Sequence, residues 1–374
     1  MNETVAVIGL GTMGLGIAQV YAQAGYRVLA TDAVVGARDT AVARLSAGLA
    51  PRVAAGKMPA DVAQAIAGRL QVVDTIAGLD GAALVIEAVA EDLHIKQALF
   101  AEVERGLSGQ PVLATNTSSL SVRAIRDGLA RPDHVLGLHF FNPAPVMKLV
   151  ELVVPARTDR AAAALARSLT EAAGKVVVDA PDSPGFIVNR CARPYYGEAL
   201  ALMAEGRTAG EIDAAMQAAG YRIGPFALID LIGADINLAA TRGLYQAMGA
   251  HPRYHVFPAL EQAVAAGRLG RKSGSGFVTG TDTPAPPEDA TTIALRIEAM
   301  LVNEACWLVQ ESGTSEEAID TALKLGLNFP RGPFQMLAAH GAEAIRVTLV
   351  LLHAAAPPAM KDRYAPAPYL ETRP

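Results

Sequence analysis

The sequence predicts an α/β amino-terminal domain built on a parallel sheet, followed by two all-α helical units. Three observations predict it. Thr4 to Ile8 is a short β-branched run that leads at once into Gly9-Leu10-Gly11-Thr12-Met13-Gly14, a helix pattern stopping at Gly25, and a second strand, Tyr26 to Ala30, ending in Thr31-Asp32. Strand-like and helix-like stretches then alternate as far as Pro184, beyond which amphipathic helices take over. The helical half also repeats itself: Glu198-Ala199 and Glu205 recur as Glu304-Ala305 and Glu311 at an offset of 106, Ile212-Asp213 as Ile319-Asp320 at 107, and Gly224-Pro225-Phe226 as Gly332-Pro333-Phe334 at 108. A Thr-, Pro- and Asp-rich linker from Gly280 to Pro287 separates the copies. The expected domains are therefore 1–183, 184–280 and 288–374, the last a degenerate copy with no catalytic residue.

Composition narrows the class. With 374 residues, 51% hydrophobic and 18% charged, the chain is globular and long enough for two or three cores. A net charge of −5 gives neither nucleic acid nor an anionic membrane a reason to bind. Cys191 and Cys306 have no metal-ligand spacing around them and read as buried thiols of a reducing compartment. The start lacks the pattern of a signal peptide, and the late apolar run Val347 to Ala356 is too short to span a bilayer. A cytoplasmic protein without a metal is the expectation.

The order strand, glycine turn, helix, strand, acid is the dinucleotide-binding (Rossmann-type) fingerprint in its required context. Gly9 allows the tight turn, Gly11 lets the backbone approach a pyrophosphate, and Gly14 lets the helix pack closely. The helix start offers free N–H groups and a positive dipole end to the phosphates. Asp32 would accept the ribose hydroxyls and repel a 2′-phosphate, which favours NAD over NADP. Val34 to Arg69 holds two helix-like stretches joined around Pro51 and Gly56-Lys57. Its Arg38, Arg44, Arg52 and Lys57 are either surface charges or contacts for coenzyme A phosphates. The buried-strand run Leu84 to Val89 is followed by Glu91 and Lys96, and the run Val112 to Asn116 ends in polar residues, so Glu91, Lys96 and the Asn116–Ser119 turn fall on the edge where such sheets bind ligands.

Removing hydride from an alcohol needs a base for its proton, and histidine is the usual one. His139 closes the apolar strand Val135 to Leu138, and Glu151 lies twelve residues on in a second apolar run, Met147 to Val154. A Glu151 that met the far ring nitrogen would fix the tautomer and stabilise the imidazolium. Ser118 could hydrogen-bond the substrate oxygen, with an amide from Asn142 or Asn189. The bland alternatives are a structural histidine at a strand end and a glutamate paired with a nearby arginine.

Three stretches, Asn116 to Leu120, His139 to Pro143 with Pro145 to Glu151, and Pro184 to Arg190, together resemble the 3-hydroxyacyl-CoA dehydrogenase family in order and spacing. The resemblance implies His139 as base, Glu151 as its partner, Ser118 and Asn189 on the substrate, and Asp32, Glu91 and Lys96 on the cofactor. With Gly9, Gly11, Thr12, Met13, Gly14, Asn116, Ser118 and Asn142, these complete the expected NAD site. The implied reaction is reversible oxidation of an (S)-3-hydroxyacyl-CoA thioester to the 3-oxoacyl-CoA. The implied fold of each helical unit is that of the 6-phosphogluconate dehydrogenase carboxy-terminal domain. Relatives with one such unit dimerise through it, so this chain is expected to be a monomer with an internal pseudo-dimer, or else a homodimer. Two other functions are weighed: a dehydrogenase of free 3-hydroxy acids or sugar acids, for which only Lys148 near His139 offers a cation, and a non-catalytic dinucleotide-binding protein, which predicts losses at His139, Glu151, Ser118 or Asn189 that are not seen.

Overall fold

The computed structural model describes residues 3–280 and 282–373, and the chain divides into two compact units, Met1–Ser183 and Pro184–Pro374. The first is an eight-stranded sheet. Its strands are β1 (Thr4–Ile8), β2 (Arg27–Thr31), β3 (Leu70–Val72), β4 (Leu84–Glu87), β5 (Val112–Thr115), β6 (Val135–Phe140), β7 (Leu149–Val153) and β8 (Val176–Ala180), in the spatial order β3-β2-β1-β4-β5-β6-β7-β8. Helices α1 (Thr12–Gln23), α2 (Val35–Ala54), α3 (Ala60–Gly68), α4 (Leu93–Gly106), α5 (Val122–Arg126) and α6 (Arg160–Ala172) connect them. β4 and β5 are buried along their whole length, as strands covered on both faces must be. Tyr21 of α1 is fully buried, its hydroxyl sharing a 2.8 Å hydrogen bond with Thr170 of α6.

Two details depart from the pattern reading. The sheet is not wholly parallel: β6 and β7 pair antiparallel, because the eight residues between them return the chain directly instead of crossing over through a helix. And Pro51 does not mark a helix junction. It lies inside α2, and the break comes at Gly56, whose φ is +66°. The proline costs little there because Ala47, whose carbonyl it leaves without a donor, is exposed to water.

The second unit is helical: α7 (Val188–Cys191), α8 (Arg193–Ala204), α9 (Ala209–Ala218), α10 (Pro225–Ile232), α11 (Ala234–Ala247), α12 (Pro258–Ala265), α13 (Ala290–Ser312), α14 (Glu316–Leu327), α15 (Pro333–His340), α16 (Ala342–Ala355) and α17 (Pro368–Glu371). The sequence echo is a structural one. In the first copy Asp213 takes the N–H groups of Phe226 and Ala227 at 2.9 and 2.8 Å, capping α10; in the second Asp320 takes those of Phe334 and Gln335 at 2.8 and 3.2 Å, capping α15. A Cβ on Gly224 or Gly332 would lie 2.4 Å from atoms of the capping aspartate, so both copies need glycine there. α8 packs on α13, the corresponding first long helices.

Between the copies run reciprocal ion pairs. Arg190 of the first copy donates Nε to Glu304 of the second at 2.7 Å, and Arg296 of the second donates Nε to Glu198 of the first at 2.7 Å. Tyr254 and Tyr364 supply hydroxyl donors to the same two glutamates, at 2.6 and 3.3 Å. The tail carries its share: the 3-10 turn Pro358–Tyr364 brings Arg363 onto Glu198 at 3.0 Å, and Tyr369 bonds Glu316 at 2.6 Å. Cys191 and Cys306 are buried, and no disulfide joins them. No single helix among the described residues is long and apolar enough to cross a membrane.

Candidate active site

The carboxyl ends of β1, β2, β4, β5 and β6 carry nearly every predicted residue of the first unit. At β1 the chain turns through Gly9, whose φ is +97° and whose missing Cβ would sit 2.6 Å from the Ala88 carbonyl oxygen. A Cβ on Gly14 would sit 1.8 Å from the Gly9 carbonyl oxygen, so this glycine is needed for the loop itself. Gly11 differs: a Cβ there would meet no protein atom within 4 Å, so the space before it is open, as a diphosphate requires. α1 begins at Gly11 without a side-chain cap and without an acidic residue in its first turn, leaving N–H groups and the positive dipole end for an anion. Thr12 is exposed and Met13 half-buried beside it.

Asp32 at the end of β2 is braced by the loop it serves: Oδ2 accepts from Leu10 N at 2.6 Å and Oδ1 from Val34 N at 2.8 Å. Arg38 and Arg44 are spent on the same loop. Arg38 donates to the Asp32 carbonyl at 2.5 Å and Arg44 to the Leu10 carbonyl at 2.8 Å. Arg52 and Lys57 are exposed.

The neighbouring strands β6 and β7 make the chemical pair. Their register sets His139 directly opposite Glu151, and His139 Nδ1 lies 2.6 Å from Glu151 Oε2. His139 is 6% exposed and Glu151 is fully buried, so the pair acts in a low-dielectric setting where a charge-assisted hydrogen bond is strong. Phe141 stands against the imidazole with ring centroids 4.5 Å apart. Asn116 is a clamp: its Oδ1 accepts from Phe140 N at 2.8 Å and ties the end of β5 to the end of β6. Asn142 is exposed on the loop after β6.

Glu91 anchors the Ser118 turn. One of its oxygens accepts from Thr117 Oγ1 at 2.6 Å, Ser118 N at 3.0 Å, Ser119 Oγ at 2.9 Å and Ser119 N at 3.2 Å. Burial pushes its pKa up, but the Thr117 hydroxyl, the Lys96 ammonium and the Ser119 and Ser118 donors together outweigh that and hold the carboxyl below the ordinary range. Lys96 is only 1% exposed, and its Nζ sits 2.6 Å from Glu87 and 3.3 Å from Glu91. Pattern reading missed Glu87. Fully buried at the end of β4, it accepts from Lys96, from Val89 N at 2.7 Å and from Thr115 Oγ1 at 2.7 Å. The available signal was a carboxylate inside an otherwise apolar strand, nine residues before a lysine: a buried charge there demands a partner. Asn189 belongs to the second unit, on α7, its carbonyl accepting from Arg193 Nε at 3.0 Å.

Comparison with known proteins agrees with this picture. The profile of the 3-hydroxyacyl-CoA dehydrogenase NAD-binding domain matches residues 4–183, and that of the 3-hydroxyacyl-CoA dehydrogenase C-terminal domain matches 185–280 and 293–373. The chain is 35% identical to the 3-hydroxyadipyl-CoA dehydrogenase of Escherichia coli (strain K12), covering 99% of this chain and 97% of that one. It is 40% identical to the 3-hydroxybutyryl-CoA dehydrogenase of Clostridioides difficile, covering 73% of this chain and 98% of that one. Among solved structures, a 3-hydroxybutyryl-CoA dehydrogenase from Escherichia coli K12 superposes with a TM-score of 0.91 at 34% identity, covering 99% of this chain and 97% of that one.

Proposed function

This chain belongs to the 3-hydroxyacyl-CoA dehydrogenase family, an NAD-dependent oxidoreductase by that membership, and we propose that His139, Glu151, Ser118 and Asn189 carry its chemistry. The observation that supports this most directly is the 2.6 Å contact between His139 and Glu151 on paired antiparallel strands. With Nδ1–H donated to the carboxylate, His139 presents Nε2 as the base that takes the hydroxyl proton of the (S)-3-hydroxyacyl thioester; in the reverse direction it returns that proton to the 3-oxo oxygen. Glu151 stabilises the imidazolium formed on the way. Ser118 and Asn189 hydrogen-bond the substrate oxygen. NAD supplies the hydride acceptor, held by Gly9, Gly11, Thr12, Met13 and Gly14, by Asp32, and by the Glu91, Lys96, Asn116 and Asn142 groups. The test is NADH absorbance with acetoacetyl-CoA as substrate: oxidation of NADH but not NADPH is expected, and silence across a series of 3-oxoacyl-CoAs would overturn the reading. Asp32→Ser should narrow the preference for NADH over NADPH; an unchanged ratio of kcat/KM would move that discrimination to other residues.

The three-part division 1–183, 184–280 and 288–374 goes with this reading, as does work in a reducing compartment such as the cytoplasm, which suits two buried cysteines not joined in a disulfide. The reciprocal ion pairs support an internal pseudo-dimer, the second helical copy covering on this chain the face that a partner would otherwise cover. Light scattering should return a monomer. A stable homodimer held through residues 185–280 would remove the idea.

A further inference from the structure

The turn that carries Ser118 is fastened at both of its ends to β6, the strand of His139. At its start Asn116 accepts from Phe140 N at 2.8 Å, one residue past the histidine. At its end α5 begins, and Val122, the first residue of that helix, is fully buried against Gly137, two residues before the histidine. A Cβ on Gly137 would lie 3.0 Å from Val122 Cγ2. Residues two apart on a strand project to the same face, so Val122 covers the face of β6 from which His139 projects. The Ser118 hydroxyl keeps its place relative to the imidazole only while both fastenings hold.

The second fastening cannot hold itself. α5 has five residues, too few for a helix to be stable on its own hydrogen bonds in water, and the N–H groups of its first turn have no acceptors within it. Asp182, half-buried in the segment after β8, supplies them from sixty positions away. Its carboxylate accepts from Val122 N at 2.9 Å, from Arg123 N at 2.8 Å and from Ser121 Oγ at 3.1 Å. Ser121 Oγ accepts in turn from Ala124 N at 3.3 Å, so three consecutive backbone donors at the head of α5 are met. A carboxylate at this end also suits the helix dipole. Gln97 of α4 secures the far side by donating Nε2 to the Ala124 carbonyl at 2.8 Å. Ser118 thus stands between two carboxylates: Glu91 grips the turn itself, and Asp182 grips the helix into which it runs.

We infer that Asp182 is a positioning residue for the reaction: by capping α5 from a distant part of the chain, it sets the Ser118 turn against the His139 strand. The inference rests on the dehydrogenase reading above and on Ser118 as a contact to the substrate oxygen. Asp182 acts through Ser118. Without its carboxylate the head of α5 loses two backbone acceptors and one hydroxyl acceptor, Val122 is free to lift from Gly137, and the serine loses its register with the base.

The test is a double-mutant cycle in kcat/KM for acetoacetyl-CoA reduced with NADH, over wild type, Asp182→Ala, Ser118→Ala and the double variant. Asp182→Ala is expected to lower kcat/KM by roughly 10- to 100-fold, the cost of displacing a substrate-binding group by about 1 Å. Asp182→Asn keeps one acceptor oxygen and should recover part of the loss. The double variant should be little worse than Ser118→Ala alone, because Asp182 then has no hydroxyl left to position. A role in folding alone would instead multiply the two losses. Losses that multiply in full, or an Asp182→Ala enzyme with wild-type kcat/KM, overturn the inference and leave the dehydrogenase reading standing. Full activity in Ser118→Ala overturns the role of that serine, and the inference with it. Silence of the wild type with acetoacetyl-CoA and with longer 3-oxoacyl-CoAs overturns the dehydrogenase reading as well. If Asp182→Ala does not fold, Asp182→Asn takes its place in the cycle: a several-fold loss that disappears in the Ser118→Ala background supports the inference, and an equal loss in both backgrounds refutes it.

Discussion

His139→Gln is expected to lower kcat by roughly 10²- to 10⁴-fold, the usual contribution of a positioned general base, while NAD binding measured by calorimetry stays nearly unchanged. The reasoning is geometric. His139 stands on β6, and the glycine loop stands on β1, with β4 and β5 between them in the sheet, so the substitution does not touch the nucleotide cradle. Glutamine is close in volume and keeps a polar group opposite Glu151, but it has no nitrogen that takes up a proton at neutral pH. Glu151→Gln should fall between wild type and His139→Gln, since an amide oxygen can still accept from Nδ1–H but offers no charge to the imidazolium. A His139→Gln enzyme with near-full kcat would place the base elsewhere. One with normal kcat and weakened NAD binding would make His139 a structural residue of the sheet.

How much of this is legible in the residues depends on the range of the interaction that makes it. The glycine loop is local: Gly9, Gly11 and Gly14 act within six positions, and each leaves a mark where it acts. His139 and Glu151 are visible as a base and an acid in apolar runs, but the antiparallel pairing of β6 with β7 is not, because Asn142-Pro143 marks a turn without saying which strand the chain returns to. Lys96 is visible as a charge near the functional edge, and its true neighbour Glu87 is hidden as one letter in a strand. Pro51 misleads because a proline's effect depends on whether the carbonyl it strands can be hydrated, and that is a matter of exposure. The pairs of Arg190 with Glu304 and of Arg296 and Arg363 with Glu198 span more than 90 residues and have no local signature. They did leave one trace: Arg190 recurs as Arg296 at the same offset of 106 that relates Glu198 to Glu304, so each arginine and each glutamate has its counterpart in the other copy.

That exchange of partners makes a second large effect predictable, on stability. Glu304 is buried at 2% exposure and accepts from Arg190 at 2.7 Å and Tyr254 at 2.6 Å, with Arg253 at 3.5 Å. Burial alone would pull the Arg190 guanidinium down, and the Glu304 charge more than reverses it. Glu304→Gln keeps the shape and removes the charge, leaving two buried arginines with only the partly exposed Glu311 between them. Breaking a buried pair on one side in this way costs about 3–5 kcal/mol, to be read from the midpoint of urea unfolding. The exposed pair of Arg242 with Glu261 serves as the control, where Glu261→Gln should cost no more than about 1 kcal/mol. If the two copies are equivalent halves of one interface, Glu198→Gln should match Glu304→Gln, since it takes the acid from Arg363 and leaves Arg296 with only the exposed Glu205, as Glu304→Gln leaves Arg190 and Arg253 with Glu311. A large cost at Glu304 with a small one at Glu198 would show that the second copy leans on the first without the reverse holding. A small cost at both would mean that water reaches these carboxylates and that apolar packing of α8 on α13 holds the copies together.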